Sequence, residues 1–181
     1  MTTLILGVFL WIDAHLFKRI LPSVRESLGD KGRGLVAIAS LAAIVLMVIG
    51  YRMADGPVYW GRSPMLTGIN NLLMLISVYL FAASGMKLGV ARKIRHPMLV
   101  GTVIWAIAHL LVNGDLESII LFGGLLVWAK VSMIAINRAQ PIWEKPPAKA
   151  AKKEVIGVVA AAVVYSAIIS IHLIFDLSVF G

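Results

Sequence analysis

The stretch that decides the fold, residues 95–124, reads RHPMLVGTVIWAIAHLLVNGDLESIILFGG and predicts two apolar helices joined by a tight turn. Pro97 suits the first position of a helix, where its missing N–H is not needed. An apolar run follows and ends at Asn-Gly-Asp. Gly114 can take the left-handed conformation that ends a helix, and Asp115 can cap the next one. The sequence therefore predicts a helical hairpin here.

A histidine lies deep in the first helix of this hairpin. Gly101, Trp105 and His109 recur every fourth residue, so they lie on one helix face. A polar residue inside a membrane span is costly and usually functional, which makes His109 a candidate ligand or active-site residue. The alternative is a simple hydrogen bond to a neighbouring helix.

Composition indicates a membrane protein. Of the 181 residues, 60% are hydrophobic and only 14% are charged, whereas soluble domains are about 45–50% apolar and ~25% charged. The net charge of +8 does not indicate nucleic-acid binding, because the basic residues cluster between apolar runs, as membrane topology requires. The absence of cysteine excludes disulfides, thiolate ligands and covalent c-type haem attachment.

The rest of the chain supplies four more apolar runs, and we predict an all-α transmembrane bundle of six spans. A span needs roughly 20 mostly apolar residues. The predicted spans are 3–20, 35–51, 66–85, 97–113, 116–136 and 155–175. We interpret the first as a span and not as a removed signal peptide, because it lacks a basic start and a small-residue cleavage site.

The distribution of Lys and Arg orients these spans. Fourteen of the 17 lie in or beside the loops after the first, third and fifth spans, two lie in the other two loops, and Lys130 lies within the fifth span. By the positive-inside rule, the three basic loops are cytoplasmic and both termini lie outside. The same asymmetry favours six spans over five or seven.

The first and fourth spans share a short motif. Trp11-Ile-Asp-Ala-His15-Leu and Trp105-Ala-Ile-Ala-His109-Leu both read W-x-x-A-H-L. Three spans separate the copies, so they cross the membrane in opposite directions, as in an inverted repeat. The helical rise places the two histidines within ~6 Å of the same depth. Such imidazoles can hold a metal or a haem iron from both sides, with the tryptophans as pocket walls; ordinary aromatic packing and chance similarity are the alternatives.

Four further polar residues have roles that the sequence leaves open. Asp13 can contact another helix but not the histidine two residues on, since such residues do not face each other. Lys130 faces the bundle interior, pairs with a carboxylate such as Asp13, or extends to the membrane surface. His96 is a helix start or a headgroup contact, and His172 can pair with Asp176 four residues on.

The hairpin at residues 95–124 resembles the signature of the NnrU family of bacterial membrane proteins. The early histidine after an apolar run, followed by a glycine-centred basic loop, is also similar to that family. The resemblance covers nearly the whole chain, which we predict to be one domain over residues 1–181. It implies the bacterial inner membrane and a link to denitrification and nitric oxide metabolism.

The chain is also similar to zeta-carotene isomerase, a membrane protein with haem b. Two histidines implicated there as haem ligands match His15 and His109 by motif, whereas the isomerase's nearby cysteine has no counterpart here. The resemblance implies a non-covalent haem b between the first and fourth spans, with His15 and His109 as axial ligands and Trp11 and Trp105 beside it.

Three classes of function follow from these features and stay open. The first is a haem-dependent membrane enzyme, either a double-bond isomerase or a redox protein. The second is a non-enzymatic haem or gas sensor that assists a respiratory complex, and the third is a small transporter. The expected partners are the lipid bilayer, haem and an apolar or gaseous small molecule; a second copy of the chain is a further candidate, and nucleic acid is not.

Overall fold

The computed structural model describes residues 1–148, 150–175, 177 and 179, which are mostly helical. The elements are α1 (Thr2–Ile20), α2 (Pro22–Ser27), α3 (Gly29–Arg52), α4 (Pro64–Met86), a 3-10 turn (Gly89–Arg92), α5 (Pro97–Val112), α6 (Leu116–Ala139) and α7 (Ala151–Ile174). These ranges contain no strand, and the all-α prediction is confirmed for them. Lys149, one of the basic residues counted above in the loop after the fifth span, and Asp176, the predicted partner of His172, lie outside the described residues.

Local sequence sets the helix ends close to the predicted bounds. The Ser63 hydroxyl caps α4 by accepting the Leu66 N–H at 3.2 Å, and Pro64 takes the first helical position. The Asp115 carboxylate caps α6 in the same way, accepting the Ser118 N–H at 2.7 Å. Each of the six predicted spans corresponds to one long helix.

Two local predictions are wrong. Gly114 is not left-handed, since only Lys87 and Gly29 have positive φ among the described residues. Gly114 instead lies against the carbonyl oxygen and ring of Trp60, where a Cβ would overlap both, so close approach is the reason for this glycine. The glycine-centred basic loop expected after the first span, residues 23–34, is instead mostly helical and forms much of α2 and the start of α3.

The six long helices pack in an open row, in the order α3, α1, α6, α5, α4, α7. Neighbours in this row make the main helix–helix contacts. No comparable packing joins α3 to α7 within the described ranges, so the two ends of the row are not closed on each other. All six helices nevertheless line one cavity, which means that the row curves around it.

The helices α1 and α6 run parallel in the middle of the row. Val8 lies against Gly124, and the ring centroids of Trp11 and Trp128 are 5.4 Å apart, so successive contacts advance along both helices in the same direction. The buried core lies around this pair and comprises Leu4, Val8, Leu16, Met47, Leu99, Val103, Leu125, Trp128 and Ala129. The core therefore holds α1 and α6 together beside the cavity.

Four helices, α3, α4, α6 and α7, are long and apolar enough to cross a membrane. Helix α1 carries Asp13, Lys18 and Arg19, and α5 has 16 residues, about 24 Å against a hydrocarbon core of ~30 Å. Large apolar side chains such as Ile38, 69% exposed, cover the outer faces and suit contact with lipid. The six-span count, the placement of both termini outside and the single domain over residues 1–181 stay predictions.

Candidate functional site

A cavity of about 1040 Å³ lies inside the curve of the helix row. Its wall takes residues from all six long helices and, in the described part of the chain, contains no Asp or Glu. The aromatic, imidazole and cationic members of the wall are Trp11, His15, Lys18, Arg19, Phe81, Trp105, His109, Trp128 and His172. Most of the remaining wall is aliphatic. An apolar enclosure with a few placed polar groups is typical of a small-molecule site.

His15 packs against two tryptophan rings. The Trp11 ring, one turn earlier on α1, stacks on it with 3.9 Å between ring centroids. Trp128 of α6 meets the imidazole edge-on at 5.1 Å. The i to i+4 spacing brings the first pair together, and the parallel packing of α1 and α6 brings the third ring. The imidazole thus has a fixed orientation at the cavity wall, although the residue remains exposed.

His109 lies in a similar arrangement on α5. Trp105, one turn earlier, has its ring centroid 5.1 Å from the imidazole. Phe122 of α6 lies 4.5 Å from the imidazole and 5.0 Å from the Trp105 ring. Both copies of W-x-x-A-H-L therefore form the same local unit, a tryptophan–histidine pair completed by an aromatic residue of α6.

The inverted repeat does not extend to the helix packing. Such a repeat would exchange α1 with α5 and α4 with α7. The observed contact between α5 and α4 would then have a counterpart between α1 and α7. That pair is not among the packed helices of the described chain. The predicted transporter depended on this repeat and on Lys130, and the packing adds nothing in its favour.

The three histidines of the cavity wall share one hydrogen-bond pattern. In His15, His109 and His172, Nδ1 lies 2.9, 3.0 and 2.8 Å from the backbone carbonyl oxygen four residues earlier. A carbonyl oxygen only accepts, so in the neutral imidazole Nδ1 carries the hydrogen and donates it. Each Nε2 is then a lone-pair acceptor, and none has a hydrogen-bond partner among the described residues.

These contacts do not fit the predicted haem. Phe122 and Trp128, which contact the two imidazoles, are six residues apart on α6, about 9 Å along the helix. Each imidazole is held by its own helix and its own aromatic neighbours. No group of three or more His, Cys, Asp or Glu side chains in the described chain could hold a metal ion. The prediction of haem b is therefore wrong, and the haem-dependent enzyme and haem sensor fall with it. That His15 and His109 contact a bound molecule in the cavity stays a prediction.

The other singled-out polar residues lie away from this cavity wall. Lys130 and Asp13 are both exposed, and the one ion pair in the described chain is elsewhere, in α3. Lys130 is therefore neither interior nor paired with Asp13. The His96 ring lies 2.8 Å from the amide oxygen of Asn137 and joins the start of α5 to α6, which is a structural role.

Sequence reasoning missed several residues of the site. Trp128, which lines the cavity, and Phe122, which does not, complete the two tryptophan–histidine units, but nothing in the apolar run of α6 distinguishes them. His172 reaches the cavity from α7, and its spacing from the other histidines carries no signal. Lys18 and Arg19 were counted only as topology signals, although both line the cavity. Their position directly after the first histidine motif is the signal that could have found them.

Comparison with known proteins adds one match. A family model described as NnrU protein matches residues 3–178, a range that includes both histidine motifs and all seven α-helices apart from the first residue of α1. No curated protein and no solved structure matches the chain.

Proposed function

Since the chain belongs to the NnrU protein family, we propose that it is a multi-pass protein of the bacterial inner membrane that binds an apolar small molecule in its cavity. The observation that carries this proposal is the cavity of about 1040 Å³ with its mostly aliphatic and aromatic wall. Small-molecule sites have volumes of about 300–1,000 Å³. The cavity is at the upper end of that range, which suits a long or multi-ring apolar ligand.

The imidazoles give this wall its polar contacts. The Nε2 atoms of His15, His109 and His172 are acceptors on three different helices. A hydrogen-bonding group surrounded by apolar surface discriminates strongly against ligands that leave it unpaired. We therefore assign the three histidines to orienting a ligand, and Trp11 and Trp105 to its apolar contact surface.

Two activities follow from the family resemblance and are part of this proposal. Double-bond isomerisation of an apolar substrate needs an intramembrane site of this kind, and the cavity supports that class of substrate. The link to denitrification and nitric oxide metabolism rests on the resemblance alone.

We also propose that all six long helices cross the membrane, with both termini outside. Helices α1 and α5 lie within the row, each between two other long helices. A helix packed between two spanning helices lies at the same membrane depth as they do. The polar residues of α1 and the short length of α5 are then tolerated because these helices contact protein as well as lipid. The basic loops then all lie on the cytoplasmic side.

The test uses the tryptophans of the wall as reporters. The purified protein is placed in nanodiscs of unbrominated lipid, and a dibrominated C18 alcohol is titrated in while tryptophan fluorescence is recorded. Bromine quenches only at short range, so a bound probe gives saturable quenching from Trp11, Trp105 and Trp128.

A matched pair of variants on α7 locates the binding. Ala160 is half-buried and lines the cavity, whereas Ala162 is exposed and does not. Ala160→Phe should weaken the saturable component, because the added ring occupies part of the cavity, and Ala162→Phe should behave as wild type. Linear quenching without saturation in the wild type, or equal loss in both variants, contradicts the proposed function.

A further inference from the structure

We propose that the ligand is a long-chain amphiphile whose anionic head group binds Lys18 and Arg19 at one end of the cavity. This inference rests on the proposed function and names the ligand class of that same site. Both residues line the cavity at the C-terminal end of α1. Long basic side chains cover apolar surface with their stems while the charged ends reach a polar group, which fits the end of a cavity in a membrane.

Among the described residues, the two cations have no protein counter-charge. The one ion pair among the described residues is Arg33 with Asp30, and no carboxylate contributes to the described cavity wall. Unpaired cations beside an apolar interior favour an anion from outside the chain. A carboxylate or a phosphate supplies that charge.

The long axis of the cavity runs with the helices. Its wall on α7 extends from Ala160 to His172, twelve residues, or about 18 Å at the helical rise. Lys18 and Arg19 lie at one end, because α1 and α6 run parallel and their last wall residues, Arg19 and Ile136, are both near the C-termini of these helices. A ligand with its head group at that end places its chain along the aromatic wall.

The open helix row gives such a ligand a route from the bilayer. Helices α3 and α7 end the row without packing on each other in the described ranges, yet both line the cavity. An amphiphile already in the membrane can therefore enter sideways, keeping its head group at the surface and its chain in the hydrocarbon. This path avoids moving the anionic group through the apolar interior.

The experiment compares ligands that differ only in the head group, in the nanodisc quenching assay. The probes are a dibrominated C18 carboxylate, the corresponding alkyl phosphate and the uncharged alcohol. The test variant is Lys18→Gln/Arg19→Gln. The control is Arg92→Gln/Lys93→Gln, which removes an adjacent pair of exposed cations that does not line the cavity.

We expect the wild type to bind an anionic probe more tightly than the alcohol. Each basic residue near a membrane surface attracts an anion, so removing both should weaken anion binding by at least tenfold. Affinity for the alcohol should not change. The control variant should retain wild-type affinity for all probes, and tighter binding of the carboxylate or of the phosphate identifies the head group.

Three results overturn the inference. Equal wild-type affinity for anionic and uncharged probes excludes a head-group site. An equal loss in the Arg92→Gln/Lys93→Gln variant assigns the effect to surface charge in general. Saturable binding of the alcohol with no binding of either anion leaves the proposed function standing and refutes the head-group assignment, whereas absence of saturable binding by every probe refutes both.

Discussion

Replacing Gly50 by alanine should destabilise the protein through the contact of α1 with α3. A Cβ at Gly50 would overlap the backbone nitrogen of Leu4 and lie 2.6 Å from its Cα and 2.8 Å from the carbonyl carbon of Thr3. These are backbone atoms, which cannot rotate away, so α1 must shift as a whole. Extra volume in a packed interior costs about 1–3 kcal/mol.

Gly68 provides a matched control on α4. It is exposed, and a Cβ there would meet no atom within 4 Å. Both substitutions gain the same helix propensity, at most ~1 kcal/mol, so their difference isolates the clash. For a chain of this size each kcal/mol shifts the Tm by about 2–4 °C, and Gly50→Ala should melt roughly 4–8 °C below Gly68→Ala for a clash near 2 kcal/mol.

The measurement is thermal unfolding of both variants and the wild type in the same detergent, followed by circular dichroism at 222 nm. Equal Tm values for the two variants would show that α1 and α3 do not approach as closely as the structure has them. The position of α1, and with it the place of His15 and Lys18 on the cavity wall, would then be in doubt.

Two further predictions concern the α6 cap and the topology. Asp115→Ala should lower the free energy of unfolding by about 1 kcal/mol, because the Ser118 N–H loses its cap. Asp115→Asn keeps an acceptor oxygen and should recover most of that loss in the same melting assay. Equal Tm values for the two variants would refute the capping role. The chain has no cysteine, so single-cysteine variants report topology directly: a membrane-impermeant maleimide should label Gly61→Cys in intact cells and label Ser27→Cys only after lysis. The reverse pattern, or labelling of both in intact cells, would exclude outward-facing termini.

The helices could largely be predicted from the sequence because their signals are local. Apolar length, Pro97 and the caps at Ser63 and Asp115 act within one or two turns, and the observed helix bounds lie near the predicted ones. Gly114 shows the limit of such reasoning. A glycine is needed at this position because Trp60, more than fifty residues away, leaves no room for a Cβ, and not because of the local backbone conformation.

The candidate site was predicted in part. His15, His109 and their tryptophans do reach one cavity wall, as their motif suggested. Their relation to each other was not predictable, because it depends on which faces of α1 and α5 contact α6. Phe122 and Trp128, which contact the two imidazoles, lie six residues apart on α6, about 9 Å along its axis. Each imidazole therefore has its own aromatic neighbour on α6, which the motif did not indicate.

By itself the sequence determined that the chain is helical, apolar and built around two W-x-x-A-H-L segments, because composition, periodicity and capping are properties of neighbouring residues. Only the tertiary structure decided the order of the helices in the row, the gap between α3 and α7, and the cavity that all six long helices line. Those features depend on contacts between residues far apart in the chain, such as Val8 with Gly124 and Trp11 with Trp128. Apolar helices can pack in many different orders with a similar free energy from burying apolar surface. The close fit of small and aromatic side chains between particular helices selects one order.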